Sequence, residues 1–189
     1  MRIITGKFRG RNLKSPSSLE VRPTSDRLRE TLFNVIAPRI EGARFLDLCA
    51  GSGAVGIEAL SRGATHATFV DRSRRMCSLI KTNLDLCRIQ VEQSEVVQAE
   101  AADFLHLTIT QSPALPPWDI GFFDPPYDED YVSILELFGA HSSSLIPDNG
   151  LLIVEHYHKN ELQDEVGSII RKRKLKQGDS VLSFYEMAE

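Results

Sequence analysis

Phe45-Leu46-Asp47-Leu48-Cys49-Ala50-Gly51-Ser52-Gly53 is the stretch from which the fold is read. Its first five residues are an apolar run broken by one acid, which predicts a buried strand. Ala50 to Gly53 is a tight turn, and Ala54 to Arg62 continues as a helix closed by Gly63. The same unit recurs down the chain. Thr65 to Val70 reads as a second strand ending at Asp71, and Arg72 to Cys87 as a helix with Met76, Ile80, Leu84 and Cys87 on one face. Val96 to Ala99 is a third strand, followed by Asp103, and a short helix is expected within Leu105 to Pro117. Trp118 to Phe123 is a fourth strand, Tyr131 to Leu145 a helix, Leu151 to Glu155 a fifth strand, and Asn160 to Val166 a weakly marked helix. Ile169 to Leu175 and Val181 to Met187 pair as a hairpin about Gln177-Gly178-Asp179. Alternating strands and helices predict an α/β fold with a mostly parallel, doubly wound sheet, here closing in an antiparallel hairpin.

Upstream of this block, residues 1–13 are short apolar pieces broken by Gly6 and Gly10, with Lys7, Arg9 and Arg11 alternating around Phe8. The alternation predicts a small basic β-hairpin with its three cations on one side of a strand. Thr24 or Ser25 can cap a helix carrying Leu28, Leu32, Val35 and Ile36 as its apolar stripe, and Pro38 marks its expected end. The expected organisation is therefore an amino-terminal extension over residues 1–38 and a main domain over 39–189.

With 189 residues, 42% of them apolar and 25% charged, the chain can build one real core. No apolar run reaches the roughly 18 residues of a membrane span, and the amino terminus does not read as a signal peptide. Three cysteines, Cys49, Cys77 and Cys87, with no C-x-x-C spacing indicate neither a disulfide framework nor a metal site, and a cytoplasmic location is expected. The formal charge of −4 is unevenly spread. Residues 1–30 carry eight Lys/Arg against three Asp/Glu, Ile169 to Lys176 carries five cations and no acid, and residues 31–168 carry nine cations against twenty acids. Two basic segments on an acidic body suggest a local surface for a polyanion.

Asp47, Gly51, Gly53, Asp71, Asp103 and Asp124 all fall at or just after predicted strand ends, where open α/β sheets bind ligands. Glycines in the first turn let a ligand approach the backbone. Asp71, twenty residues beyond Gly51, stands where an acid accepts from ribose hydroxyls. An acid at the entrance of the turn, Asp47, suits a cation, and S-adenosylmethionine carries a sulfonium and an ammonium. Asp103 can accept from an adenine amine; Ser52 and Arg72 are placed with the cofactor-binding set. After the fourth strand comes Asp124-Pro125-Pro126-Tyr127. Two prolines end the ladder and stiffen the turn. The Asp124 carboxylate and the Pro125 carbonyl offer two acceptors, and Tyr127 a flat ring, which together suit the exocyclic amine of a nucleobase. No metal is needed, and His156 and His158 read as structural.

These residues together resemble the class I S-adenosylmethionine methyltransferases that act on amines, and more narrowly the RsmD family. The resemblance rests on Met1 to Arg11, on Arg22-Pro-Thr-Ser-Asp-Arg-Leu-Arg-Glu-Thr-Leu-Phe-Asn34, on Phe45 to Gly56 with Glu58 to Ala64, and on Asp124 to Tyr127. It implies a Rossmann-like methyltransferase fold and transfer of a methyl group to N2 of a guanine in small-subunit (16S) ribosomal RNA. By that similarity Asp47, Gly51, Ser52, Gly53, Asp71, Arg72 and Asp103 hold the cofactor, and Asp124, Pro125, Pro126 and Tyr127 form the catalytic pocket. Lys7, Arg9, Arg11, Arg22 and Thr24 face the RNA. Adenine N6 as the acceptor, and an RNA-binding assembly factor without turnover, stay open beside it.

Overall fold

The glycine turn lies between a strand and a helix, as its sequence predicts. The computed structural model describes residues 1–16, 25–111, 116–126 and 130–188, which fall into two units, Met1–Ala99 and Glu100–Glu189.

In the first unit α1 (Asp26–Ile40) begins at Ser25, whose hydroxyl accepts the Leu28 N–H at 3.1 Å. Leu28, Leu32, Phe33, Ile36 and Ile40 bury its apolar face. Pro38 lies inside the last turn and does not end the helix. Burial of Ile36 and Ile40 on either side of the proline outweighs the single backbone bond it removes. β1 (Arg44–Leu48), α2 (Ala54–Ser61), β2 (His66–Asp71), α3 (Arg74–Cys87), a 3-10 turn at Val91–Gln93 and β3 (Ser94–Gln98) follow. The strands are parallel in the order β3-β2-β1, with Asp47 beside Phe69 and Asp71 beside Gln98. α2 is buried along its whole length, Glu58 and Ser61 included.

Residues 1–13 close on themselves as a short antiparallel hairpin about the bridge from Arg2 to Asn12, with Ile3 N–H donating to the Arg11 carbonyl at 3.0 Å, Gly10 N–H to the Ile3 carbonyl at 2.9 Å and Leu13 N–H to the Met1 carbonyl at 2.8 Å. Other backbone donors of the segment bond to α2. Ile4 and Thr5 N–H donate to the Glu58 carboxylate at 2.8 and 2.9 Å, Lys7 N–H to the Ser61 carbonyl at 2.7 Å, and Phe8 N–H to the Ser61 hydroxyl at 2.9 Å. Gly6 (φ +86°) permits this seam, because a Cβ there would stand 1.8 Å from the Ser61 carbonyl oxygen.

The second unit holds α4 (Ala101–Thr110), β4 (Ile120–Phe123), α5 (Tyr131–Ala140), α6 (Ser142–Leu145), β5 (Leu151–Tyr157), β6 (Glu165–Val166), β7 (Ile169–Gln177) and β8 (Ser180–Met187). β4 and β5 are parallel, then β8, β7 and β6 add in antiparallel ladders, the expected carboxyl-terminal hairpin among them. Trp118, Phe122, Phe123, Phe138 and Tyr185 fill its core.

Three expected helices differ in the structure. The helix placed within 105–117 starts earlier, at Ala101, so Asp103 lies in its first turn. The helix read over 131–145 breaks at His141. Ser168 donates to the Gly139 carbonyl from its N–H at 2.9 Å and its hydroxyl at 2.7 Å, taking an oxygen that a continuous helix gives to residue 143. Asn160 to Val166 is not helical and ends in β6. There the Gln163 carbonyl accepts the Tyr185 hydroxyl at 2.8 Å and the Asp164 carbonyl accepts Arg171 N–H at 2.7 Å, so long-range partners replace helical ones.

Candidate active site

Between β1 and α2 the backbone takes left-handed conformations at Cys49 (φ 61°), Gly51 (φ 54°) and Gly53 (φ 75°). Glycine adopts these freely, whereas Cys49 adopts its own at a cost on the order of 1 kcal/mol. A Cβ on Gly51 would meet nothing within 4 Å, so the turn is open over this residue. Two acids hold it. Asp71, at the end of β2, accepts the Gly51 N–H at 2.8 Å with one oxygen and the Ser73 N–H at 2.8 Å with the other. Each oxygen has a second lone pair, so the carboxylate can still accept a hydroxyl. Asp47, only 2% exposed, accepts the Gly56 N–H at 2.9 Å. Gly56 is required there, since a Cβ would lie 2.3 Å from the Phe69 ring and 3.1 Å from the Asp47 carboxylate.

Burial raises the Asp47 carboxyl to about 8, the Gly56 hydrogen bond opposes that rise, and the nearby Asp71 charge adds to it. The folded chain therefore holds this proton more tightly than the unfolded chain does. The resulting stabilisation is fully present below the unfolded value and is lost as pH rises through the folded one. Stability of the ligand-free protein is expected to fall between pH 5 and pH 8 by more in the parent than in Asp47→Asn. Urea unfolding of both at the two pH values checks this, and equal falls would sink it.

The Ser52 hydroxyl lies 3.9 Å from the Met1 sulfur, and its carbonyl accepts the Asn83 amide at 2.9 Å. Asn83, fully buried in α3, also accepts Lys14 N–H at 2.8 Å and donates to the Lys14 carbonyl at 3.1 Å. One amide thus ties the glycine turn to the amino-terminal segment. Sequence reading misses it because an Asn inside a helix carries no local signal. Arg72 follows Asp71 and is exposed.

The first unit brings Asp47, Gly51, Ser52, Gly53 and Asp71 together. A buried ionisable carboxyl under an open glycine turn, with a hydroxyl acceptor beside it, fits a ligand bearing a cation and a ribose.

The remaining candidates are placed singly. Asp103 is exposed in the first turn of α4, and Asp124 is half-buried directly after β4, followed by buried Pro125 and exposed Pro126. Tyr127, Arg22 and Thr24 lie outside the described residues. Lys7 and Arg9 are exposed, and Arg11 is half-buried. Lys7 and Arg11 each lie 5.6 Å from the centre of the Phe8 ring. His156 is buried, with Nε2 2.9 Å from the Ser183 hydroxyl and Nδ1 3.1 Å from the Tyr157 carbonyl. Burial lowers its pKa, which accords with a structural role. Among the described residues no group of three or more His, Cys, Asp or Glu is arranged to hold a metal, and no helix is long and apolar enough to cross a membrane.

A family model described as "Conserved hypothetical protein 95" matches residues 1–186. The ribosomal RNA small subunit methyltransferase D of Haemophilus influenzae is 39% identical over 82% of this chain and 78% of its own length. The protein of the same name in Escherichia coli K12 is 39% identical over 86% of this chain and 77% of its own. The solved structure of yhhF from Escherichia coli superposes with a TM-score of 0.83 at 34% identity, covering 99% of this chain and 97% of that one. The α/β fold of this chain is the class I methyltransferase fold.

Proposed function

The chain belongs to the family described as Conserved hypothetical protein 95, the RsmD family, and we propose that it methylates the exocyclic N2 amine of a guanine in small-subunit (16S) ribosomal RNA. The observation that carries this reading is the open glycine turn over buried Asp47, clamped by Asp71, in a chain that also has Asp-Pro-Pro-Tyr after β4. The names of the relatives support ribosomal RNA as the substrate. The bound cofactor, S-adenosylmethionine, supplies a methyl group on a sulfonium. Asp47, ionised by the bound cation that would bring its pKa back down, would balance the positive charge, Gly51 and Gly53 would let the cofactor lie against the backbone, Asp71 would accept its ribose hydroxyls, and Asp103 its adenine amine.

The guanine amine is a poor nucleophile because its lone pair is delocalised into the ring. The Asp124 carboxylate and the Pro125 carbonyl accept its two N–H groups, which aims the lone pair at the methyl carbon. They also stabilise the positive charge that grows on nitrogen. Asp124 or water would take the proton that the amine gives up once it has received the methyl group. Tyr127 stacks on the base, which is splayed out of any duplex. Residues 1–38 serve as the RNA-facing extension of the domain at 39–189, acting in the cytoplasm on RNA within a small-subunit particle.

Labelled S-adenosylmethionine offered in parallel to unmodified small subunits, naked 16S RNA and DNA tests the proposal. Label in guanine of the RNA is expected. Label in adenine of DNA would keep the mechanism and overturn the substrate. Cofactor binding without label anywhere would leave an assembly factor. With the same RNA, neutralising Lys7, Arg9 and Arg11 together is expected to weaken binding. The log–log salt dependence should flatten by somewhat under about one unit for each phosphate that is no longer neutralised. An unchanged slope would remove this turn from the interface.

A further inference from the structure

The second basic segment of the sequence is β7, and its geometry points to a phosphate-contacting surface for the RNA strand that flanks the target base. This inference rests on the reading of Asp124 given above. β6 pairs with Ile169 and Ile170, and the Asp164 carbonyl takes the Arg171 N–H, so among the described residues β7 is paired from Lys172 onward with β8 along one side alone. On this stretch Lys172, Arg173, Lys174 and Lys176 are exposed. None of the four forms a salt bridge among the described residues, whereas Arg171 is bound to Asp164. A register shift between Arg171 and Arg173 makes Lys172 an extra residue and moves Lys174 and Lys176 onto the side that carries Arg171. Without the bulge, that side would carry Arg173 and Leu175.

The ladders of the second unit relate these cations to the Asp124 turn. Phe123, immediately before Asp124, is level with Val154 of β5, Val154 with Ser183 of β8, and Ser183 with Lys174 of β7. Lys176 pairs with Val181, which pairs with His156, one pleat further toward the carboxyl ends of β4 and β5. Lys174 and Lys176 therefore bracket the level of Asp124, three strands away. At about 4.8 Å per strand, that distance is roughly 14 Å. A stacked nucleic-acid strand rising about 3.4 Å per nucleotide covers it in about four nucleotides. Several unpaired cations in a row at that distance match the backbone of an RNA whose base is held at Asp124. Charge on an open strand edge also discourages edge-to-edge pairing, so the test must separate the two roles.

Lys172→Gln/Lys174→Gln/Lys176→Gln in the full chain is compared with the parent for binding to naked small-subunit ribosomal RNA across a salt series. The log–log salt slope is expected to fall by about 2, with cofactor affinity unchanged. KM for RNA is expected to rise while kcat is retained. The corresponding triple arginine variant is expected to keep the parent slope. A second variant, Lys174→Glu, covers the case in which the triple variant fails to fold, and its RNA affinity is expected to drop at low salt. An unchanged slope overturns the inference, and self-association of the triple variant with an unchanged slope assigns the charges to edge protection alone. If the parent methylates RNA while the slope is unaltered, only this surface is refuted. If the parent neither binds nor methylates the RNA, the substrate reading fails with it.

Discussion

Asp124→Ala is expected to reduce methyl transfer by at least about 10²–10³-fold while leaving cofactor affinity within a few fold. Asp124 is half-buried and follows β4 directly, with Pro125 buried behind it, so the strand and the proline ring fix its backbone. On the proposed mechanism, removing the carboxylate takes away one of the two acceptors for the amine, the one that carries a full charge. The Pro125 carbonyl stays, so the base can still enter but its lone pair is no longer aimed. Asp124→Asn keeps an oxygen of similar geometry without the charge and is expected to fall between parent and Ala. Single-turnover transfer and calorimetric cofactor binding on the three proteins measure both quantities. Loss of cofactor binding with transfer partly retained would contradict the role given to Asp124.

Glu58→Ala is expected to lower stability by about 3–5 kcal/mol, the range for breaking a buried ion pair from one side. Glu58 is fully buried in α2 and accepts from Ile4 N–H, Thr5 N–H and Arg62 Nε at 2.8, 2.9 and 2.8 Å, with Arg29 Nε at 3.8 Å. Arg29 is fully buried too, and burial lowers its pKa against the raising effects of Asp26 and Glu58. Truncating Glu58 leaves a buried guanidinium short of an anion and two backbone donors without their partner. At roughly 2–4 °C per kcal/mol for a chain of this size, the melting temperature should drop by about 6–20 °C. Arg62→Ala is expected to cost less, because that side chain reaches solvent at 12% exposure. Scanning calorimetry decides the matter, and a loss for Glu58→Ala no larger than that for Arg62→Ala would refute the central place given to this carboxylate. Proteolysis within residues 1–13 should quicken in the same variant, since their seam to α2 runs through Glu58 and Ser61.

Most of the fold is legible along the chain because its signals are local. A short apolar run ending in Asp47 and Gly51-Ser52-Gly53 needs only the neighbouring residues to specify strand, turn and helix, and the same holds for β2 with Asp71 and β4 with Asp124. Glycines, prolines and strand-end acids mark the site for the same reason: each acts through its own backbone or a carboxylate beside it. What the sequence alone could not determine depends on partners far away in the chain. The helix read over 131–145 breaks because Ser168 takes the Gly139 carbonyl, and Asn160 to Val166 is not helical because Tyr185 and Arg171 bind its carbonyls. The basic turn at residues 5–10 reads as strand alternation, yet the N–H groups of Thr5, Lys7 and Phe8 go to Glu58 and Ser61, more than fifty positions on. Asn83 gives no sign in sequence that it joins Lys14 to Ser52. Buried polar groups must find partners wherever the fold puts them, so only the tertiary structure decides which residues these are.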